Sequence, residues 1–196
     1  DVQSTETIEK MRIAGRIAAG ALAEVGAHVA PGITTDELDR IGHEYLLDHH
    51  AYPSTLGYRG FPKSLCASLN EVICHGIPSK NDILKNGDIL NIDVTVIKDG
   101  WHGDTSKMFL VGKCQPHNER LVKVTQECLY KAIKLVKPGA YLGDIGHIIQ
   151  KHAESNYYSV VEDYCGHGIG TIYHEEPQVL HYGIPNTGIQ LKEGMC

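Results

Sequence analysis

No Cys-x-x-Cys pair occurs in this chain, although it carries cysteines at positions 66, 74, 114, 128, 165 and 196. That absence excludes the paired-thiolate knuckle of a structural zinc site. The N-terminal stretch has no secretory pattern, so free thiols in a reducing cytoplasm are expected. No apolar run approaches the roughly 20 residues that a membrane helix needs, so no membrane partner is expected. Positive charge is in deficit: 18 Lys and Arg stand against 24 Asp and Glu, a net charge of −6. This balance argues against nucleic acid or an anionic membrane surface as partner, and the acidic residues are not gathered into a tail. An initiator methionine is also missing, so the biological N-terminus is expected to lie upstream of Asp1.

What is present fits one globular domain. The 196 residues are 42% hydrophobic, enough for a core. Histidine is plentiful at twelve. His43, His49, His50, His117, His147 and His152 fall on polar helix faces or in loops and receive no role.

Four short stretches read together as one metal site. They place Asp93 in Asn-Ile-Asp-Val-Thr, Asp104 in His-Gly-Asp-Thr-Ser, His167 in Gly-His-Gly-Ile-Gly and His75 in Cys-His-Gly-Ile-Pro. Carboxylates and imidazole suit a hard or borderline divalent cation. Ile89 to Ile97 reads as a strand, Asp99-Gly100 as a turn, and Trp101 to Val111 as the returning strand. A hairpin turning at Lys98 to Gly100 puts Asp104 opposite Asp93 or diagonal to it, on one face. Both Asp are expected to point inward, where unpaired charge would be costly without a cation between them.

The chain also carries an internal repeat of offset 107. Pro31-Gly32 corresponds to Pro138-Gly139, Leu22 to Leu129, Leu38 to Ile145, Ile41 to Ile148, and Leu84-Lys85-Asn86-Gly87 to Leu191-Lys192-Glu193-Gly194. Each half opens with a helix. The first carries Ile8, Met11, Ala14, Ala18, Ala21, Leu22 and Val25; its counterpart carries Leu121, Val124, Cys128, Leu129 and Ala132. A second helix follows in each half. The one at Thr34 has Glu37 placed for a capping box, and its counterpart carries Ile145, Ile148 and Ile149. At this offset the counterpart of Asp93 falls four residues beyond Cys196, so the chain is expected to be cut short at its C-terminus.

These motifs resemble the type I methionine aminopeptidases over essentially the whole chain. The resemblance rests on Gly57 to Ser64 (GYRGFPKS), Ser68 to Pro78 (SLNEVICHGIP), Asn91 to Thr95, His102 to Thr105, Gly166 to Gly170 and His174 to Pro177 (HEEP). The stretch before the helix at Ile8 resembles the short bacterial form, so no zinc-finger extension is expected. The family implies an α+β pita-bread fold: two pseudo-symmetric halves sharing a curved antiparallel sheet, with helices outside. Residues 1–196 would form a single catalytic domain with its C-terminal part missing, in halves of about 1–112 and 113–196.

The resemblance also implies the chemistry. Asp93, Asp104 and His167 match three of the family's five ligands to two divalent ions, drawn from Co, Mn, Fe, Zn or Ni. By this resemblance the family's two Glu ligands would fall beyond Cys196. His174 would hydrogen-bond the peptide carbonyl as charge develops, and His75 would contact the scissile amide. Tyr58, Phe61, Cys66 and Tyr173 sit at the positions of the methionine side-chain pocket, and soft, aromatic contacts suit a thioether. Asn70 and Val72 match a backbone site for a monovalent cation. The expected activity is removal of N-terminal methionine, before a small second residue, from nascent chains. A monomeric cytoplasmic enzyme with a transient ribosome contact is expected. A proline-directed aminopeptidase or prolidase of the same fold is the alternative. A non-catalytic pita-bread fragment becomes the description if the chain truly ends at Cys196.

Overall fold

The computed structural model describes residues 2–196. Two compact units are formed. The first comprises Glu9–Asn118 with Gly170–Tyr173; the second comprises residues 2–8, Glu119–Ile169 and His174–Cys196.

The first unit is two helices on an antiparallel sheet. α1 (Thr5–Ala27), which enters this unit at Glu9, buries Ala14, Ala18, Ala21, Leu22 and Val25. Spacings of three and four put these on one stripe. α2 (Thr35–Asp48) begins where the Thr34 hydroxyl accepts the Glu37 amide at 3.1 Å. Only half of the expected capping box forms. The Glu37 carboxylate is taken by Arg40, with Nε–Oε2 at 2.9 Å and Nη2–Oε1 at 2.6 Å.

The strands are β1 (Tyr52–Pro53), β2 (Cys66–Leu69), β3 (Ile89–Lys98) and β4 (Trp101–Leu110). β3 is central. β1 and β2 pair with it end to end along one edge, and β4 runs along the other. The β3–β4 hairpin closes through two residues, Asp99 with φ 50° and Gly100 with φ 84°, the left-handed pair a type I′ turn requires. That turn fixes the register from Lys98↔Trp101 through Ile89↔Leu110. Leu90, Ile92, Val94 and Val96 are fully buried with α1 and α2 in the main core, which also holds Leu38, Leu46, Leu65 and Leu84.

The second unit packs α3 (Pro116–Leu135, entering this unit at Glu119) and α4 (Leu142–Ser155) around a small core of Val124, Cys128 and Ala153. A two-stranded ribbon, β5 (Gly166–Gly168) with β6 (Glu175–Val179), completes it. Leu121 and Leu129, expected on the buried stripe of α3, are exposed. The buried stripe is narrower, and centres on Val124, Cys128 and Ala132.

The same backbone bonds occur in both units at offset 107. Gly32 N donates to Leu84 O at 2.8 Å and Gly139 N to Leu191 O at 2.9 Å; Leu84 N donates to Ile33 O at 2.8 Å and Leu191 N to Ala140 O at 2.7 Å. Thr35 N to Asp82 O and Leu142 N to Ile189 O follow the same rule, both at 3.0 Å. Isolated bridges join Thr34 to Ile83 and Tyr141 to Gln190. Among the described residues no cysteine is joined in a disulfide.

Close approach of helix to sheet is set by Gly103 on β4. A Cβ there would lie 2.5 Å from the Ala14 carbonyl carbon and 2.5 Å from the Gly15 nitrogen, both backbone of α1. Overpacking against backbone costs about 1–3 kcal/mol. Gly103→Ala should therefore lower the melting temperature by about 3 °C or more. Gly15→Ala meets nothing within 4 Å. It should raise stability by about 0.5–1 kcal/mol, because alanine loses less backbone freedom in a helix. Thermal melts of the two variants beside the wild type check the opposite signs.

Candidate metal centre

β3 separates two kinds of side chain by strict alternation. Leu90, Ile92, Val94 and Val96 face the core; Asn91, Asp93 and Thr95 lie on the opposite face. Paired residues share a face, so Cys66 joins Asp93 from β2, while Ser106 and Asp104 join from β4. The register is Asp93↔Ser106 and Thr95↔Asp104, which makes Asp104 the diagonal neighbour of Asp93. The diagonal arrangement is one of the two that the hairpin length allowed. The expected burial is not found: Asp93 is half-buried and Asp104 is exposed. Alternation puts them on the face away from α1 and α2, so neither carboxylate enters the apolar core.

Further expected site residues lie in this unit. Burial pushes the Cys66 thiol up to about 12, helped by the negative charge of Asp93 and then by Cys74 and Asp104. The Cys74 thiol is also raised, by burial and then by Asp93. Cys66 is therefore a neutral thiol beside a carboxylate. Tyr58 and Tyr173 meet at 4.7 Å between ring centroids, tilted by 59°. Phe61 is half-buried and follows Tyr58 in a tight loop closed by Gly57 N to Phe61 O at 2.8 Å. His75 is exposed with φ 56°. Its loop is strapped to β2: Ala67 N donates to Gly76 O at 2.9 Å and Gly76 N to Ser68 Oγ at 3.0 Å. Asn70 bridges the start of β3, its Nδ2 on Asp88 Oδ1 and its Oδ1 accepting Ile89 N, both at 3.0 Å. Val72 is exposed two residues on.

His167 and His174 belong to the second unit, on β5 and just before β6. Their rings lie 4.3 Å apart, tilted by 52°. His167 Nδ1 is 2.8 Å from the Gly168 carbonyl. A carbonyl only accepts, so Nδ1 donates to it, and in the neutral ring that is the tautomer that leaves Nε2 for a metal. Two carboxylates on one strand face and an imidazole of this tautomer are donors that fit a divalent cation of hard or borderline character. Among the described residues no three His, Cys, Asp or Glu side chains are drawn into a ready-made cage. The fit therefore rests on donor chemistry and strand face.

Three buried polar residues of this unit received no role from the sequence. Asp39 of α2 is buried and its Oδ1 accepts Ser64 N at 2.8 Å and Leu65 N at 3.0 Å, anchoring the start of β2. Burial pushes its carboxyl up while these two amides oppose the shift. Thr55 and Thr95 are buried, and both lie within hydrogen-bonding distance of the Tyr173 hydroxyl. Only their apolar neighbours in sequence hinted that these polar groups are inside.

The profile of metallopeptidase family M24 matches residues 9–196. A methionine aminopeptidase of Escherichia coli K12 is 57% identical over 195 residues, covering 99% of this chain and 74% of that protein. The crystal structure of methionine aminopeptidase from Rickettsia prowazekii superposes with a TM-score of 0.97 at 51% identity, covering 100% of this chain and 78% of that one. A prolidase from Pyrococcus horikoshii superposes at 0.80 with 21% identity over 99% of this chain and 53% of that one, which shows a shared fold.

The neutral state of Cys66 is testable by alkylation. A thiol raised to about 12 holds on the order of 10⁻⁴ thiolate at pH 8. Iodoacetamide at pH 8 should modify Cys66 at least ~100-fold more slowly than the exposed Cys196. Peptide mapping by mass spectrometry reads both rates, and the Cys66 rate should still be climbing above pH 10.

Proposed function

The chain belongs to metallopeptidase family M24, and from that premise we propose that it removes the N-terminal methionine of peptides and nascent proteins by hydrolysis. The observation that carries this reading is the diagonal pair Asp93 and Asp104, on a face shared with Cys66 and the Tyr173 hydroxyl. Over 195 residues the chain is 57% identical to a methionine aminopeptidase.

In this reading Asp93, Asp104 and the Nε2 of His167 would help hold two divalent ions, drawn from Co, Mn, Fe, Zn or Ni. When bound, the ions supply a Lewis acid for the carbonyl and the free amino terminus, and an activated water for its attack. The protein's own groups do the rest. His174 would donate a hydrogen bond to the carbonyl oxygen of the first residue as negative charge grows there. His75 would contact the scissile amide nitrogen and help deliver its proton to the departing amine. Tyr58, Phe61, Cys66 and Tyr173 would enclose the methionine side chain, with a neutral thiol and aromatic faces against the thioether. The carbonyls of Asn70 and Val72 would hold a monovalent cation at the rim of β2 and β3.

The proposal extends to context. Residues 1–196 would act as one catalytic domain of two pseudo-symmetric halves, about 1–112 and 113–196. The enzyme would work as a cytoplasmic monomer on nascent N-termini with a small second residue, touching the ribosome transiently. The chain covers about three quarters of the E. coli relative. A proline-directed peptidase is the second reading. Its support is the shared fold alone, since the prolidase match stands at 21% identity.

Release of methionine from Met-Ala-Ser with added divalent metal, beside cleavage of an Xaa-Pro dipeptide, separates the readings. Methionine release without Xaa-Pro cleavage is expected. Asp104→Ala should lose activity and metal together, and calorimetry showing two equivalents still bound would overturn its role as a metal ligand.

His174→Ala should lower kcat by roughly 10²-fold with little change in KM, because an oxyanion donor acts mainly in the transition state. Steady-state kinetics on Met-Ala-Ser checks this, and a change confined to KM would make His174 a ground-state binding residue.

A further inference from the structure

Gly170–Tyr173 is a four-residue strap with an unusual attachment. Its contacts place it in the first unit, while the residues flanking it, Ile169 and His174, belong to the second. Two anchors hold the strap. At its start the Gly170 carbonyl accepts the backbone amide of His102 at 2.9 Å, and His102 Nδ1 lies 3.1 Å from the same oxygen. At its end the Tyr173 hydroxyl donates to Thr95 Oγ1 at 3.0 Å and lies 3.4 Å from Thr55 Oγ1. The Tyr173 ring also stacks on His102, with centroids 5.7 Å apart and planes within 8°, and tilts against Tyr58.

The partners of the hydroxyl give the contact its meaning. Thr95 is 1% exposed, lies two residues from Asp93 on the same face of β3, and is the cross-strand partner of Asp104. Thr55 is 5% exposed. Buried hydroxyls without partners are costly, so the three-hydroxyl chain Thr55–Tyr173–Thr95 favours a single arrangement. Phenylalanine would keep the ring contacts and lose that restraint. The next residue along the chain is His174, so the end of the strap sets where its backbone begins.

We propose that Tyr173 is a positioning residue: its hydroxyl, held by Thr95 and Thr55, locks the strap and thereby sets the place of His174. This inference rests on the functional reading above in giving His174 a role in the reaction. The hydroxyl is assigned no contact with the reacting atoms. Its contribution comes from narrowing the positions His174 can take, and small misplacements of a transition-state donor are expensive.

The test is Tyr173→Phe in the metal-loaded protein, with Thr95→Val, the double variant, and Thr95→Ser as the conservative change. Tyr173→Phe should lower kcat for Met-Ala-Ser about 10-fold, with KM within about 2-fold and metal stoichiometry unchanged. Thr95→Val should act alike, the double variant should be no worse than either single one, and Thr95→Ser should restore most of the loss. Amide hydrogen exchange over residues 170–174 gives a second readout independent of activity, and should quicken about 10-fold or more in Tyr173→Phe. A variant with wild-type kcat, a change in KM alone, or additive losses would overturn the proposal. If the wild type binds metal but releases no methionine, the functional reading fails; unchanged exchange over 170–174 then overturns the locking role as well, and faster exchange upholds it.

Discussion

The alternation of β3 is the constraint on which everything else depends. Leu90, Ile92, Val94 and Val96 are fully buried against α1 and α2. Each contributes about 1.5–3 kcal/mol of hydrophobic stabilisation. A slip of one residue would turn Asp93 and Thr95 into the core and those four side chains out of it. The polar face is thus held in place by the energetics of the apolar face. The two-residue turn at Asp99-Gly100 transmits the same register to β4, which is why Asp104 arrives diagonal to Asp93. Hydrogen bonding on both edges of β3 keeps the strand rigid where Asp93 sits.

The two units solve one local problem in related ways. In each, a loop after the first helix makes the same set of backbone bonds to a segment some fifty residues on, at Gly32 and Leu84 and again at Gly139 and Leu191. Gly32 and Gly139 both adopt left-handed backbone, with φ 95° and 92°, as the turn before the second helix demands. The second helices then divide the capping box between them. α2 uses the hydroxyl of Thr34 on the Glu37 amide, while α4 uses the Asp144 carboxylate on the Tyr141 amide at 2.8 Å. The amides of Asn186 and Tyr141 hold the Asp144 carboxyl below its usual range. The packing differs more. Ala14, Ala18, Ala21 and Leu22 are buried in the first core, whereas Leu121, Thr125, Cys128 and Leu129 line an open apolar cleft with Ile149 and Tyr158.

Local signals were readable because their physics is local. The hairpin, its turn, the Thr34 cap and the diagonal of two Asp all follow from period-two alternation and turn chemistry within about twenty residues. What could not be read depends on contacts far along the chain. Thr95 and Tyr173 are 78 residues apart, and Asp39 reaches the amides of Ser64 and Leu65 across 25 and 26 residues. The expectation of buried Asp failed for a related reason. Flanking apolar residues show that a strand is inside, but not what covers its second face. The exposure of Leu121 and Leu129 fails likewise: periodicity marks an apolar stripe without saying how wide a neighbour covers it.

Fold alone does not select the substrate here, since a prolidase at 21% identity shares it with a TM-score of 0.80. On the proposed reading, selection resides in side chains beside the carboxylates. β2 shows how the two tasks meet. Asp39 fixes the amides of Ser64 and Leu65, and the next residue, Cys66, pairs directly with Asp93. The charge of Asp93, added to burial, keeps the Cys66 thiol protonated. A protonated thiol remains a soft, weakly polar wall, whereas a thiolate would compete for any cation nearby. In the metal-free protein, burial first and the Asp93 charge second keep this wall of the proposed pocket neutral. Cys66 and Asp93 share one rung of the β2–β3 ladder, so on the proposed reading a change at Cys66 that altered its charge would be felt both by the pocket wall and by the carboxylate beside it.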